Sequence, residues 1–392
     1  MSTSQIPVVF SRSGLSHPPG SDPQHIQDYS DINTWLQGIS STQTDEFFPS
    51  LEFELLSHIT IEPSSPSVSK VSGNTQRSLK IDNLQIRKAI HANNLFIDNF
   101  GKKIPADVQA VIEAAGILRP CSTPLTTEEQ ASIGATLSRE WDTKEASLLS
   151  TLLSTPLFKL IPIEDTMLQQ GQDTLWTTAP LPHILGATPP PPLITPKTDY
   201  HLGFATTIMC RQDAATVWTN DEIIILDNEC MHDYFCPTNA NIFPFLLIEG
   251  KSEVCNSSLY KAESQLVVGG AHRANSMKFL FTHASPETTI SSAESLVFSL
   301  AVSQREAIAY VNFMDPSSNR FYMSYLANFY LPEVSDRQRC HDFITNVVSW
   351  GKTQFLSQVK QGLAAISQNS SHLHTVVATV STESPRKKQR IL

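Results

Sequence analysis

The chain has 392 residues, of which 40% are hydrophobic and 8% aromatic, which excludes a globally disordered protein. A net charge of −10 excludes nucleic-acid binding by bulk positive charge, although it permits a site at which a divalent ion supplies the charge. The chain shows no secretory signal and no apolar run of roughly 20 residues, so we expect an intracellular protein that does not enter a membrane.

Composition and periodicity divide the chain into four segments. The first is rich in Ser, Pro, Gln and Thr, which is typical of a flexible leader. The second carries apolar residues at helical spacing, with helix starts predicted at Pro105 and Thr126. The predicted segments are the leader at 1–75, a helical extension at 76–180, a core at 181–366 and a disordered basic tail at 367–392.

The core segment begins with a proline-rich connector over 180–196 and then alternates predicted strands and helices. Phe243–Ile248 is continuously apolar, which predicts a strand buried on both faces. We therefore expect an α/β fold with a mixed central sheet flanked by helices. The other predicted strands are Tyr200–Ile208, Glu222–Leu226, Val297–Ser303, Ala307–Phe313 and Phe321–Phe329, and the predicted helices are Tyr260–Phe281 and Asp336–Leu363.

Two charged residues, Glu249 and Lys251, follow the buried strand directly. Residues two positions apart in a strand share one face, so both side chains are expected to point into the same cleft. A carboxylate that holds a hard divalent ion, beside a lysine that stabilises developing negative charge, is what phosphodiester hydrolysis requires. The structural alternative is a surface Glu/Lys pair that ends a core strand.

A buried strand followed by Glu-x-Lys, with an aspartate on a neighbouring strand, resembles the PD-(D/E)XK nuclease superfamily. The blocks Pro196–Tyr200, Phe243–Glu253 and Ala262–Gln265 resemble an uncharacterised fungal group of that superfamily. The resemblance covers residues 79–363, with its strongest similarity in those three blocks. It implies a restriction-endonuclease-like core, to which the preceding helical segment is an extension.

The resemblance also implies roles for individual residues. Asp199 and Glu249 would bind Mg²⁺ or Mn²⁺, Lys251 would assist the nucleophile, and Gln265 would support the site from the following helix. Asp227 is the alternative metal ligand, because it ends an apolar run and lies closer to Glu249 in the chain. In place of proline, a threonine precedes Asp199, which departs from the superfamily pattern.

The function expected from this resemblance is metal-dependent hydrolysis of DNA or RNA. The alternative is a catalytically silent nuclease-like domain that binds nucleic acid or protein. The basic cluster Pro385–Arg390 predicts binding to a nuclear import receptor, and therefore a nuclear location, with the cytoplasm as the alternative. An ordinary solubilising tail would have the same composition.

Overall fold

The computed structural model describes residues 83–139, 150–158, 165–177, 181, 190–252, 259–285, 287 and 289–368. The predicted leader at 1–75, most of the proline-rich connector and the basic tail beyond Gln368 lie outside the described residues. No helix in the described part of the chain is long and apolar enough to cross a membrane.

A seven-stranded mixed sheet, in the order β1-β7-β6-β5-β4-β3-β2, forms the centre of the described fold. β1 pairs in parallel with β7, and β4 pairs in parallel with β5, whereas the other neighbours are antiparallel. The predicted α/β fold with a mixed sheet is therefore confirmed. The strands are β1 (Leu95–Asp98), β2 (Leu168–Gln172), β3 (Tyr200–Phe204), β4 (Ile242–Gly250), β5 (Val297–Val302), β6 (Glu306–Asp315) and β7 (Arg320–Tyr330).

Helices flank the sheet, and two of them run on into each other through a π-helical turn at Gly351–Phe355. A 3₁₀ turn at Ser292–Ser295 precedes β5. The α-helices are α1 (Asn83–Ala92), α2 (Ala106–Ala114), α3 (Thr127–Arg139), α4 (Thr207–Arg211), α5 (Asn220–Leu226), α6 (Glu229–Phe235), α7 (Leu259–Ala284), α8 (Val334–Trp350) and α9 (Leu356–Gln368).

The two faces of the sheet have separate apolar cores. On one face Leu247 of β4 and Ala301 of β5 pack with the long helix α7. On the opposite face Phe298 and Leu300 of β5 pack in a core that includes Phe343 of α8. Because side chains alternate along a strand, Glu249, two residues after Leu247, points toward the face that α7 covers.

The predicted second strand, Glu222–Leu226, is wrong, because this segment forms the helix α5. A capping box decides the outcome: the Thr219 hydroxyl accepts from the Glu222 N–H, and the Glu222 carboxylate accepts from the Thr219 N–H. Glu222, Ile223, Ile225 and Leu226 are buried and Ile224 is exposed, so two adjacent buried residues flank an exposed one on each side, which fits a helix and not the alternation of a strand. A run of three isoleucines favours a strand only where no cap precedes it.

Shorter deviations also have local causes. β3 ends at Phe204 and not at Ile208, because the Thr206 side chain accepts from the Met209 N–H and caps the helix α4. The region predicted to be a helical extension contributes the strands β1 and β2 to the sheet. The helix start predicted near Thr126 is confirmed, since Thr126 and Glu129 form a reciprocal cap.

Two adjacent glycines let α7 approach the sheet closely. A Cβ atom at Gly269 would lie 3.3 Å from Leu247 Cδ1 and 3.5 Å from Thr198 Cγ2. A Cβ atom at Gly270 would overlap the buried side chain of Asn312, including its Cβ atom.

We expect Gly270→Ala to lower the free energy of unfolding by about 1–3 kcal/mol, because the added methyl group overpacks the α7–sheet contact. Gly269→Ala is the matched control in the same helix turn. Its effect should be much smaller, because the helix propensity of alanine offsets the tighter contact. Urea unfolding of both variants measures the difference, and equal destabilisation would contradict this account.

Candidate functional site

The antiparallel pairing of β3 and β4 brings the start of one strand beside the end of the other. Tyr200 is the register partner of Ile248. Beyond this pair, the N–H of Asp199, which directly precedes β3, donates to Oε2 of Glu249, which follows Ile248 in β4, at 3.2 Å. The Gly250 N–H donates to Asp199 Oδ2 at 2.8 Å. Asp199 and Glu249 are therefore fixed to each other through backbone donors.

The Lys251 ammonium completes this cluster. Its Nζ atom donates to Glu249 Oε1 at 2.6 Å and to the Gly250 carbonyl oxygen at 2.9 Å. It also lies 3.8 Å from Asp199 Oδ2. Three oxygen atoms from two strands thus surround one positive charge at the end of a buried strand.

Burial dominates the electrostatics of the cluster. Glu249 is fully buried and its side chain is 0% exposed, whereas the Asp199 side chain is 20% exposed. Burial raises the pKa of Glu249 to about 8, although the neighbouring Lys251 acts in the opposite direction. We expected the head of Lys251 to face an open cleft, but its side chain is only 6% exposed because it turns back onto Glu249. The cluster therefore reaches solvent mainly through Asp199.

Gln265 lies on α7, and the packing of that helix shows which end of β4 it is nearest. Gly269 packs against Leu247, and one turn later Arg273 Nε donates to the Pro244 carbonyl at 2.6 Å. α7 therefore runs antiparallel to β4. Gln265 precedes Gly269 by one turn, so it lies toward the carboxyl end of β4, where the cluster forms. Its side chain is half-buried.

Asp227, the alternative metal ligand, makes other contacts. It ends α5, accepts a hydrogen bond from Thr207 Oγ1 at 2.6 Å and forms an ion pair with Arg211. The contacts of the described residues thus join Asp199, and not Asp227, to Glu249.

One charged residue at the site was missed in the sequence. Lys197 lies two residues before Asp199, and its Nζ atom pairs with Asp173 Oδ1 at 2.6 Å. The hydrogen bond to Asp173 raises the pKa of Lys197, and the charges of Asp199 and Glu249 add to the effect. Its side chain is well exposed, so it places a positive charge at the mouth of the site. The Lys-x-Asp spacing before β3 is the signal that could have found it.

The donor set fits a hard divalent ion. Asp199 Oδ2, Glu249 Oε1 and the Gly250 carbonyl are all oxygen atoms, the ligand type that Mg²⁺ and Mn²⁺ prefer, and they already surround a cation. Among the described residues no group of three or more His, Cys, Asp or Glu side chains could hold a metal. A metal here would therefore need the backbone carbonyl or water as its further ligands.

These observations define the class: an α/β protein with a mixed sheet and a carboxylate–lysine cluster at the end of a fully buried strand. Residues 136–363, more than half of the chain, match a family described as a domain of unknown function, DUF7924, and the chain belongs to this family. Asp199, Glu249, Lys251 and Gln265 lie within the matched region. The chain has no significant match among curated proteins or solved structures.

Proposed function

We propose that this chain is a metal-dependent nuclease that hydrolyses phosphodiester bonds in DNA or RNA. The observation that carries the proposal is the convergence of the Asp199 and Glu249 carboxylates and the Gly250 carbonyl around the ammonium of Lys251. An uncompensated set of buried charges would be costly, so such a cluster needs a cation at its centre. The resemblance of this motif to PD-(D/E)XK nucleases suggests phosphodiester hydrolysis as the reaction that the cluster would catalyse.

The proposed roles follow from position. Asp199, Glu249 and the Gly250 carbonyl would hold Mg²⁺ or Mn²⁺, which when bound supplies positive charge and lowers the pKa of a bound water. Lys251 would donate to the attacking water or to a phosphate oxygen on which negative charge develops. Lys197 at the mouth would contact the phosphate backbone. Gln265 would orient these groups from α7.

The test uses the full chain with single- and double-stranded DNA and RNA, in Mg²⁺, in Mn²⁺ and in EDTA. We expect cleavage of at least one substrate with a divalent ion, and none in EDTA. Asp227→Asn is the matched control, because it neutralises an aspartate that is bound to other side chains, and it should retain cleavage. Absence of cleavage on all four substrates with both metals would reject the nuclease proposal.

A second candidate is a catalytically silent nuclease-like domain that binds nucleic acid or protein. The complete burial of Glu249 and the place of Lys251 among the three oxygens favour it, because both leave the cluster neutralised without a metal. Such a domain would not cleave in any condition. A nucleic-acid-binding form would still bind DNA or RNA with an affinity that falls steeply with salt concentration. Cleavage separates the two candidates, and titration of a non-cleaving wild-type chain at two salt concentrations then shows whether it binds nucleic acid.

We also propose that the basic cluster, which lies outside the described residues, binds a nuclear import receptor. Replacing all four of its basic residues with alanine in a tandem fluorescent-protein fusion should move the protein from the nucleus to the cytoplasm. Replacing Ser381, Thr382 and Ser384 with alanine is the control in the same tail. Unchanged nuclear accumulation of the first variant would contradict the proposal. The four basic residues are Arg386, Lys387, Lys388 and Arg390.

A further inference from the structure

Arg273 is a buried cation whose hydrogen bonds are incomplete. It lies on α7 and is 1% exposed. Its Nε atom donates to the Pro244 carbonyl, and its guanidinium lies 5.2 Å from the centre of the Phe243 ring. Nη1 and Nη2 are both buried, and neither has a hydrogen-bond partner among the described residues. Leaving donors of a charged group unmet in the interior is costly, so this arrangement indicates a missing acceptor.

Trp176 brings a third unmet donor to the same place. Its side chain is buried, and its Nε1 atom has no hydrogen-bond partner in the part of the chain that the structure describes. Trp176 and Arg273 border one small cavity beside α7. Asp233 also borders this cavity, but its carboxylate does not bond to any of these three nitrogens. The unmet polar atoms of the described residues on this cavity wall are thus all donors.

The size and charge of the cavity restrict what could fill it. The space open to the centre of a water-sized sphere is about 10 Å³, so the cavity holds no more than one small molecule or monatomic ion. A water molecule that accepted from these donors is neutral, so it would leave Arg273 without an ion-paired counterion. No carboxylate of the described residues forms an ion pair with Arg273, and burial lowers its pKa to about 9. A monatomic anion would accept hydrogen bonds from the unmet donors and would also balance the charge of Arg273.

We propose that Arg273 and Trp176 form an internal binding site for one monatomic anion of the halide class, such as chloride. The site is separate from the carboxylate–lysine cluster: Pro244, to which Arg273 bonds, lies five residues before Glu249 in β4, about 16 Å along the strand. Bound chloride would hold α7 against β4 at the point where Phe243 has a left-handed φ of 48°.

The experiment is a thermal unfolding titration of the full chain in which sodium isethionate is replaced by sodium chloride or bromide at constant ionic strength. The wild-type melting temperature should rise saturably, by about 3–5 °C at saturating halide. Trp176→Phe keeps an aromatic ring and removes one donor, so it should need a higher halide concentration. Arg273→Met should lose the response.

Trp350→Phe is the matched control. The Trp350 Nε1 atom is also buried and unpartnered, but Trp350 does not border this cavity, so the variant should keep the wild-type response. If Arg273→Met does not fold, the shifted midpoint of Trp176→Phe together with an anomalous bromide peak beside Arg273 in wild-type crystals would support the site. An equal halide response in wild type, Trp176→Phe and Trp350→Phe, or no halide response in the wild type, would overturn the proposal.

Discussion

Lys251→Met is expected to lower the rate of metal-dependent cleavage by about 10²–10³-fold, because it removes a preorganised positive charge where negative charge develops on the phosphate. The change replaces an ammonium that bonds to Glu249 and to the Gly250 carbonyl with an apolar group of similar length. The measurement is the single-turnover rate in saturating Mg²⁺ on the substrate that the wild type cleaves best.

Lys352→Met provides the matched control for this result. Lys352 Nζ also lies 2.6 Å from a carboxylate oxygen, that of Asp165, but the pair is remote in sequence from the cluster and is more exposed. This variant should therefore cleave at the wild-type rate. If both lysine variants lost activity equally, the loss would reflect folding and not catalysis.

The stability of the wild-type chain without divalent ions is expected to fall as the pH rises from about 5 to about 8. Burial raises the pKa of Glu249 from 4.5 to about 8, so the folded chain holds a proton that the unfolded chain releases. This contribution is complete below pH 4.5 and is lost as the pH rises through 8. A difference of this size corresponds to roughly 5 kcal/mol over the whole range.

Comparison with Glu249→Gln isolates this contribution, because other groups also titrate in the range. The glutamine variant cannot ionise, so the wild type should lose stability relative to it with each step from pH 5 to pH 8 in urea unfolding with EDTA. Added Mg²⁺ at pH 8 should stabilise the wild type more than the variant, because the variant lacks one anionic ligand. Parallel pH profiles for the two proteins would show that Glu249 is ionised in the folded state.

Strong local patterns predicted the elements that carry the cluster. The unbroken apolar run before Glu249 could only be a buried strand or a buried helix, and its shortness favoured the strand. The strands β1 and β2 could not be found in this way. Leu95–Asp98 is four residues long, and Leu168–Gln172 is mostly polar. β1 is a strand because it pairs with β7, and β2 is a strand because it pairs with β3. These partners lie far away in the sequence, so the residues within and around each strand do not predict the pairing.

The proximity of Asp199, Glu249 and Lys251 was easier to predict from the sequence than the burial of their side chains. Spacing alone left Asp199 and Asp227 both open, because the folded distance from Glu249 depends on which strand pairs with β4. The antiparallel register of β3 brings Asp199, and not Asp227, into contact with Glu249. The burial of Lys251 was not predictable, since it depends on how far the chain after β4 is covered by other elements. The Lys251 N–H donates to the Val302 carbonyl, which holds the backbone of Lys251 against the end of β5.

The position of Lys251 has a consequence for ion selection. Its ammonium is tethered beside the side-chain oxygens of Asp199 and Glu249, so it would compete with a metal ion for them at a high effective concentration. Sodium or potassium offers no more charge than the ammonium already there, and neither would displace it. A divalent ion brings twice the charge to the same oxygens and would release the lysine side chain as it enters. On the proposed function, Lys251 would therefore be free to contact a substrate only after a divalent ion had taken its place among these oxygens.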